Sequence, residues 1–215
     1  MTDKNVSPGI FYHASAVVGI KTLLPYSKAH NTIKNPVVYL TPNETLSLFY
    51  IWNRPYKFVT FNENDLGTVV YTEWYDNQFS DLIKGLSGSI YECVDDMCIH
   101  PTHIAGVYNS EVPVNVSKET VIDDVFEEIR KRIADGRVIL RTYGSLNKEE
   151  KEKIIECDMV RAIHQQRLLK FGTSEYNTAF GAFVKEHFPL SWSIAEKMSD
   201  DEIKAMIDGW RKSVK

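Results

Sequence analysis

Val37–Tyr50, VVYLTPNETLSLFY, is the stretch from which the fold is read. It opens as an apolar run with β-branched and aromatic members, the composition of a buried strand. It then breaks into a helix start. Thr41 stands where a cap belongs, Pro42 takes the first helical position, where a missing N–H costs nothing, and Glu44 follows three residues after Thr41. Leu46, Phe49 and Tyr50 then fall on one face of a short helix. The expectation is a strand that delivers Tyr39 and a helix that delivers Tyr50 to one cleft at their junction.

Working outward toward the N-terminus, a polar connection over residues 26–35 has the composition of a surface loop. Before it lies Ile10–Ser15, IFYHAS, a short apolar strand carrying His13, preceded by a polar lead-in that ends in the breaker pair Pro8-Gly9. Toward the C-terminus, Lys57–Phe61, Thr68–Tyr71 and Ser89–Val94 are expected strands, with one or two helical turns at Phe79, Leu82 and Ile83 closed by Gly85 and Gly88. Glu111–Val116 is the last strand candidate, and Pro113 puts it at an edge or a strand start. The texture then changes. Ser117 is read as the cap of a helix over 118–135, with Val121, Ile122, Val125, Phe126, Ile129 and Ile133 on one side and Gly136 as its stop. A short strand follows over Val138–Tyr143, then helices over 147–171 and 174–187. A capping box at Ser199–Glu202 opens a last helix to about Lys212. Strands before about residue 116 and helices after it make an α+β chain. The expected division is a β-rich domain over 1–116 with a helical region over 117–215 packed on it.

Composition excludes several classes. The 215 residues are 43% hydrophobic and 25% charged, values of an ordinary globular protein, and a net charge of −4 gives no electrostatic signature for nucleic acid or anionic membrane. No apolar run approaches the ~20 residues of a membrane span, and the polar start lacks a signal-peptide core, so the expected compartment is the cytoplasm. Three cysteines, Cys93, Cys98 and Cys157, do not make a disulfide framework. Cys93 and Cys98, with His100 and His103 beyond, are zinc-ligand types. Their spacing is not a familiar structural-zinc spacing, and Cys93 sits in an expected strand, so no metal is assigned.

The strand end His13-Ala14-Ser15 after Phe11-Tyr12, the later strand tyrosine Tyr39, the helical Tyr50 and Ser47 three residues before it form an ordered set. With a glutamate heading a late strand, this set resembles the ADP-ribosyltransferase superfamily, in its branch related to diphtheria toxin and the poly-ADP-ribose polymerases. The resemblance covers about residues 10–116 and implies a split β-sheet core. It also implies NAD as cofactor and transfer of ADP-ribose to an unidentified acceptor, with release of nicotinamide. In that chemistry positive charge develops on the ribose, as in glycoside hydrolysis. The resemblance implies a catalytic set of Glu111, His13 and Tyr39. His13 would bond ribose hydroxyls, the backbone at Ala14 would read the carboxamide, and Tyr39 and Tyr50 would stack on the nicotinamide. Ser15 and Ser47 would support them, and the carboxylate would offset the ribose charge. Ala14 replaces the glycine usual at its position. Glu111 is the best match for the acid, with Glu92 and Glu73 as rivals, because strand parity does not choose among them.

Other readings compete. The related RNA 2′-phosphotransferase chemistry needs arginines around its histidine, and none lies near His13. A catalytically inactive nucleotide-binding or protein-interaction module of the same fold is a third reading. An interaction protein acting through its helical half is a fourth.

Overall fold

A computed structural model of the chain describes residues 9–26, 35–58, 60–94, 98–102, 104, 106–169 and 174–213. In chain order the strands and helices begin β1 (Ile10–Ser15), β2 (Thr22–Leu23), β3 (Val38–Leu40), α1 (Glu44–Ser47), β4 (Phe61–Glu63), β5 (Val69–Thr72), α2 (Gln78–Ile83) and β6 (Gly88–Val94). They continue with β7 (His100–Pro101), β8 (Tyr108–Ser110), β9 (Val114–Asn115), β10 (Lys118–Ile122), α3 (Val125–Ala134) and β11 (Val138–Arg141). Helices follow among the described residues: α4 (Lys148–Glu152), α5 (Met159–Gln165), α6 (Glu175–His187), α7 (Pro189–Lys197) and α8 (Asp200–Ser213). The chain is mixed α+β, with several small sheets. No helix among the described residues is long and apolar enough to cross a membrane.

Two compact units form. One comprises Met1–Asn53, Phe61–Tyr71 and Phe79–Leu140, and the other Arg54–Thr60, Thr72–Gln78 and Arg141–Lys215. The division expected at residue 116 thus falls inside the first unit. The reason is β10. Lys118–Ile122 is not the start of a helix but a strand, antiparallel to β6. Ser117 does not cap a helix. Its hydroxyl donates to the Glu92 carbonyl of β6, and the real cap is Asp124, whose carboxylate accepts from Glu127 N–H. Tertiary pairing overrides the local cap signal here.

The central sheet of the first unit has the order β1-β6-β10, all antiparallel. Alternation divides its faces. Ala14, Ile90 and Ile122 enter one core, with Leu46, Phe49, Tyr71 and Ile129. Phe11, Tyr91 and Cys93 enter a second core on the other face, with Leu23, Val38, Leu40 and Val114. A backbone bridge between Tyr12 and Thr41 ties the end of β3 to β1, with Tyr12 N donating to Thr41 O at 2.7 Å and Thr41 N to Tyr12 O at 3.0 Å.

That bridge explains a correction at the strand–helix junction. Thr41 remains extended and cannot be the cap. Asn43 caps α1 instead, its side chain accepting from Leu46 N–H at 3.2 Å, while Thr41 Oγ1 accepts from Asn43 N–H. The helix lasts one turn and passes into a 3-10 turn at Leu48–Tyr50. Leu46 and Phe49 stay buried, whereas the tightened turn leaves Tyr50 36% exposed. Two other expected strands are shorter or displaced. Lys57–Phe61 yields a strand only from Phe61 onward, Val59 lying outside the described residues, and Glu111–Val116 yields only Val114–Asn115.

In the second unit, Phe58 packs against Phe183 at 5.2 Å and Phe188 at 5.8 Å between ring centroids, with Tyr56, Trp74 and Tyr75 around them. The expected single helix over 147–171 breaks at a π-helical segment, Lys153–Asp158, and its expected stop at Gly172 lies outside the described residues. The buried Ser191 hydroxyl donates to the Ile155 carbonyl of that segment at 2.6 Å, satisfying a group the distorted ladder would strand. The expected helix over 174–187 is present as α6 and ends at His187, and Pro189 then starts α7 at its first turn.

Candidate functional site

The register of the central sheet sets the site. His13 on β1 stands opposite Tyr91 on β6, and Tyr91 stands opposite Glu119 on β10. Cross-strand partners point to one face, so imidazole, phenol and carboxylate form one transverse row. With neighbouring strands about 4.8 Å apart, the backbone positions of His13 and Glu119 are about 10 Å apart. On the next rung, Ser15 stands opposite Ser89, and Ser89 opposite Val121. The row is therefore His13, Tyr91 and Glu119, flanked by two serines.

Glu119 is held firmly. Its Oε1 accepts from Gly19 N–H at 2.7 Å, from the buried Ser89 hydroxyl at 2.8 Å and from the Tyr91 hydroxyl at 3.2 Å. Its Oε2 lies 3.9 Å from Lys21 Nζ, on a side chain that is 84% exposed, which makes that pair weak. The Gly19 N–H, followed by the Ser89 hydroxyl, holds the Glu119 carboxyl below the usual carboxylate range, with Tyr91 and Lys21 adding to the effect against burial. The carboxylate is ionised at neutral pH. Burial, first among its causes, raises the Tyr91 phenol, so Tyr91 stays a hydrogen-bond donor.

His13 is half-buried, and its Nδ1 lies 2.9 Å from the Tyr39 carbonyl. A carbonyl only accepts, so Nδ1 carries the hydrogen of this contact. Tyr39 thus meets His13 through its backbone. Burial raises the phenols of both Tyr39 and Tyr50. The Tyr50 ring stands edge-on to Phe61, at 5.7 Å between centroids. Ser15 Oγ accepts from Val17 N–H. Ser47 is fully buried, and its hydroxyl donates to the Glu44 carbonyl one helical turn back. Ala14 turns its methyl group into the core opposite the row.

The three glutamates weighed from the sequence lie elsewhere. Glu111 is exposed in the turn after β8, its Oε2 accepting from Asn35 Nδ2 at 2.9 Å. Glu92 is on β6 but has the opposite parity to Tyr91, standing between Tyr12 and Lys118. Glu73 is buried in the second unit, its Oε2 accepting from Tyr143 N–H. Sequence reasoning missed Glu119, Ser89 and Tyr91 as a group. The signal available was the spacing Ser-x-Tyr in β6 and Glu-x-Val in β10, but it becomes visible only when 118–122 is read as a strand.

Cys93 is buried in β6, and burial pushes its thiol up to about 12, which makes it an inert core residue. Asp95, Asp96 and His103 lie outside the described residues. Comparison of the chain with protein-family models, with curated proteins and with solved structures finds no match.

Proposed function

We propose that the first unit cleaves NAD and transfers ADP-ribose to an acceptor, and that Glu119, not Glu111, is its acid. The observation carrying this reading is the transverse row of His13, Tyr91 and Glu119 on one sheet face. It sets an imidazole and an ionised carboxylate on one sheet face about two strand spacings apart, with the buried Tyr91 phenol between them. NAD supplies an activated glycosidic bond whose scission leaves positive charge on the ribose. His13 bonds a ribose hydroxyl and orients the sugar. Glu119 Oε2 faces the developing charge, while Oε1 is fixed by the fold, so no reorganisation is needed as charge develops. Tyr50, edge-on to Phe61 against the core on the other face of the sheet, does not join the row, so of the two stacking tyrosines the resemblance implies only Tyr39, whose carbonyl meets His13, is kept in this reading.

A second reading has its own support. Three donors on one carboxylate oxygen are also what a structural anchor needs, so a nucleotide-binding module without turnover would carry the same cage. Two measurements test the site, and the second separates the readings. NAD should raise the melting temperature in either case, by mass action. Incubation with NAD should release nicotinamide only from an enzyme. His13→Ala should weaken NAD binding about ten-fold, roughly the contribution of one hydrogen bond in a dry site. Calorimetric titration reads that loss. Unchanged NAD affinity in His13→Ala would remove the imidazole from the site.

A further inference from the structure

We propose that Tyr91 is a positioning residue for Glu119: its phenol ties the carboxylate to the 17–20 loop and so fixes where and in which plane the carboxylate meets a ligand. The proposal rests on the functional reading above for its meaning in catalysis, but not for its geometry.

Tyr91 is fully buried in the middle strand, and its ring is part of the second core with Phe11, Leu23 and Val114. Its hydroxyl is a junction. It donates to the Val17 carbonyl at 2.5 Å, receives Ile20 N–H at 3.4 Å and reaches Glu119 Oε1 at 3.2 Å. One hydroxyl proton is shared between Val17 and Glu119. The loop residue between those two contacts, Gly19, donates to the same Oε1. Loop, phenol and carboxylate therefore close one ring of hydrogen bonds, with Ser89 as its fourth member. The three donors occupy one oxygen position of the carboxylate and fix its plane, so the other position, taken here by Oε2, is the one left to act. Gly19 has φ +85°, a conformation that suits glycine, and this sets its N–H toward Glu119. The titratable groups facing the carboxylate are Tyr91 itself, Lys21 at 3.9 Å from Oε2, and His13 across the row.

Tyr91→Phe tests this, because it keeps the ring that packs the core and removes only the hydroxyl. The Glu119 side-chain carboxyl can be followed by carbon-13 NMR, with its resonance assigned from Glu119→Gln. In the wild type it should titrate below the usual carboxylate range. In Tyr91→Phe the midpoint should rise by about half a unit to one unit, because one donor is lost and the Gly19 donor loosens. Exchange of the Gly19 amide should quicken in parallel. For turnover, nicotinamide release should show kcat lowered about ten-fold with KM for NAD within two-fold. Adding Tyr91→Phe to Glu119→Gln should cost nothing further, since a positioning residue acts through the group it positions.

An unchanged Glu119 midpoint in folded Tyr91→Phe overturns the proposal, whatever the activity. A raised midpoint upholds it, even if wild-type protein releases no nicotinamide. That combination sinks the functional reading and leaves the positioning intact. Should Tyr91→Phe fold poorly, Val17→Ala with Ser89→Ala provides the second arm. Ser89→Ala should raise the same midpoint. Val17→Ala keeps the carbonyl that Tyr91 holds and should leave the midpoint where it is. A rise in both would trace the shift to loosened packing and overturn the proposal.

Discussion

Glu119→Gln should lower nicotinamide release by about 10²–10³-fold in kcat, the loss typical when one preorganised electrostatic partner of a transition state is removed. NAD affinity should stay within a few-fold. The substitution is close to isosteric. The amide oxygen can take the place of Oε1 and accept from Gly19, Ser89 and Tyr91, so the cage and the fold survive. What disappears is the negative charge at Oε2, which matters mainly when positive charge develops on the ribose. A loss in kcat with binding retained separates that role from simple ligand binding. Glu111→Gln, in the exposed turn held by Asn35, should behave as wild type. If Glu111→Gln is dead and Glu119→Gln is active, the acid has been assigned to the wrong strand.

The same residue sets a pH expectation. The Gly19 N–H and the Ser89 hydroxyl depress the Glu119 carboxyl in the folded protein. A depressed carboxyl contributes stability that is present above its unfolded pKa, about 4.3, and is lost as pH falls through the lower folded value. Activity should therefore hold through the ordinary carboxylate range and fall only below it. In Tyr91→Phe the acid limb should move up. Measuring kcat/KM for nicotinamide release from about pH 3 to 7 reads both.

The residues that made this site legible, and those that hid it, differ in how local their signals are. IFYHAS and SIYECV announce themselves as strands by alternation and β-branched content, and both strands are present. Their pairing is non-local, so the facing of His13 and Tyr91 waits for the register. KETVI carries two competing patterns. Val121, Ile122, Val125 and Ile129 fit a helical period, and Ser117 looks like its cap. Yet Thr120, Val121 and Ile122 are equally a β-branched strand, and pairing with β6 decides between them. That one ambiguity hid the register that sets Glu119 beside Tyr91. Local chemistry fared better where no partner competed. Ser199 and Glu202 form their predicted reciprocal cap, Ser174 caps α6, and Gly136 closes α3 with φ +79°. Thr41 failed as a cap because the strand bridge to Tyr12 claimed its backbone first.

Gly88→Ala should be the most damaging single methyl group in the first unit. Gly88 opens β6, opposite Ile122 of β10 and directly before Ser89. A Cβ built there lies 2.2 Å from the Ser15 carbonyl oxygen, 2.8 Å from Ile51 Cγ2 and 2.9 Å from Ala16 Cα. Two of those three atoms are backbone, so no rotamer relieves the clash. Either β1 must slide away from β6, or β6 must shift its start. Overpacking in a close-packed interior costs about 1–3 kcal/mol, and contact with main chain on a paired strand belongs at or above the top of that range. At about 3 kcal/mol, the melting temperature should fall by roughly 10 °C for a unit of this size. Because Ser15 stands opposite Ser89, and Ser89 holds Glu119, the displacement reaches the row itself. Gly88→Ala should therefore lose nicotinamide release even at temperatures where it stays folded. Gly85→Ala is the control. Its Cβ would meet nothing within 4 Å, and its cost comes only from φ +76°. It should lower stability modestly and leave turnover at permissive temperature unchanged. Thermal unfolding of both variants, with turnover measured well below each midpoint, reads the difference. Equal losses in both would mean that strain in the backbone, and not the approach of β1 to β6, governs this corner of the sheet.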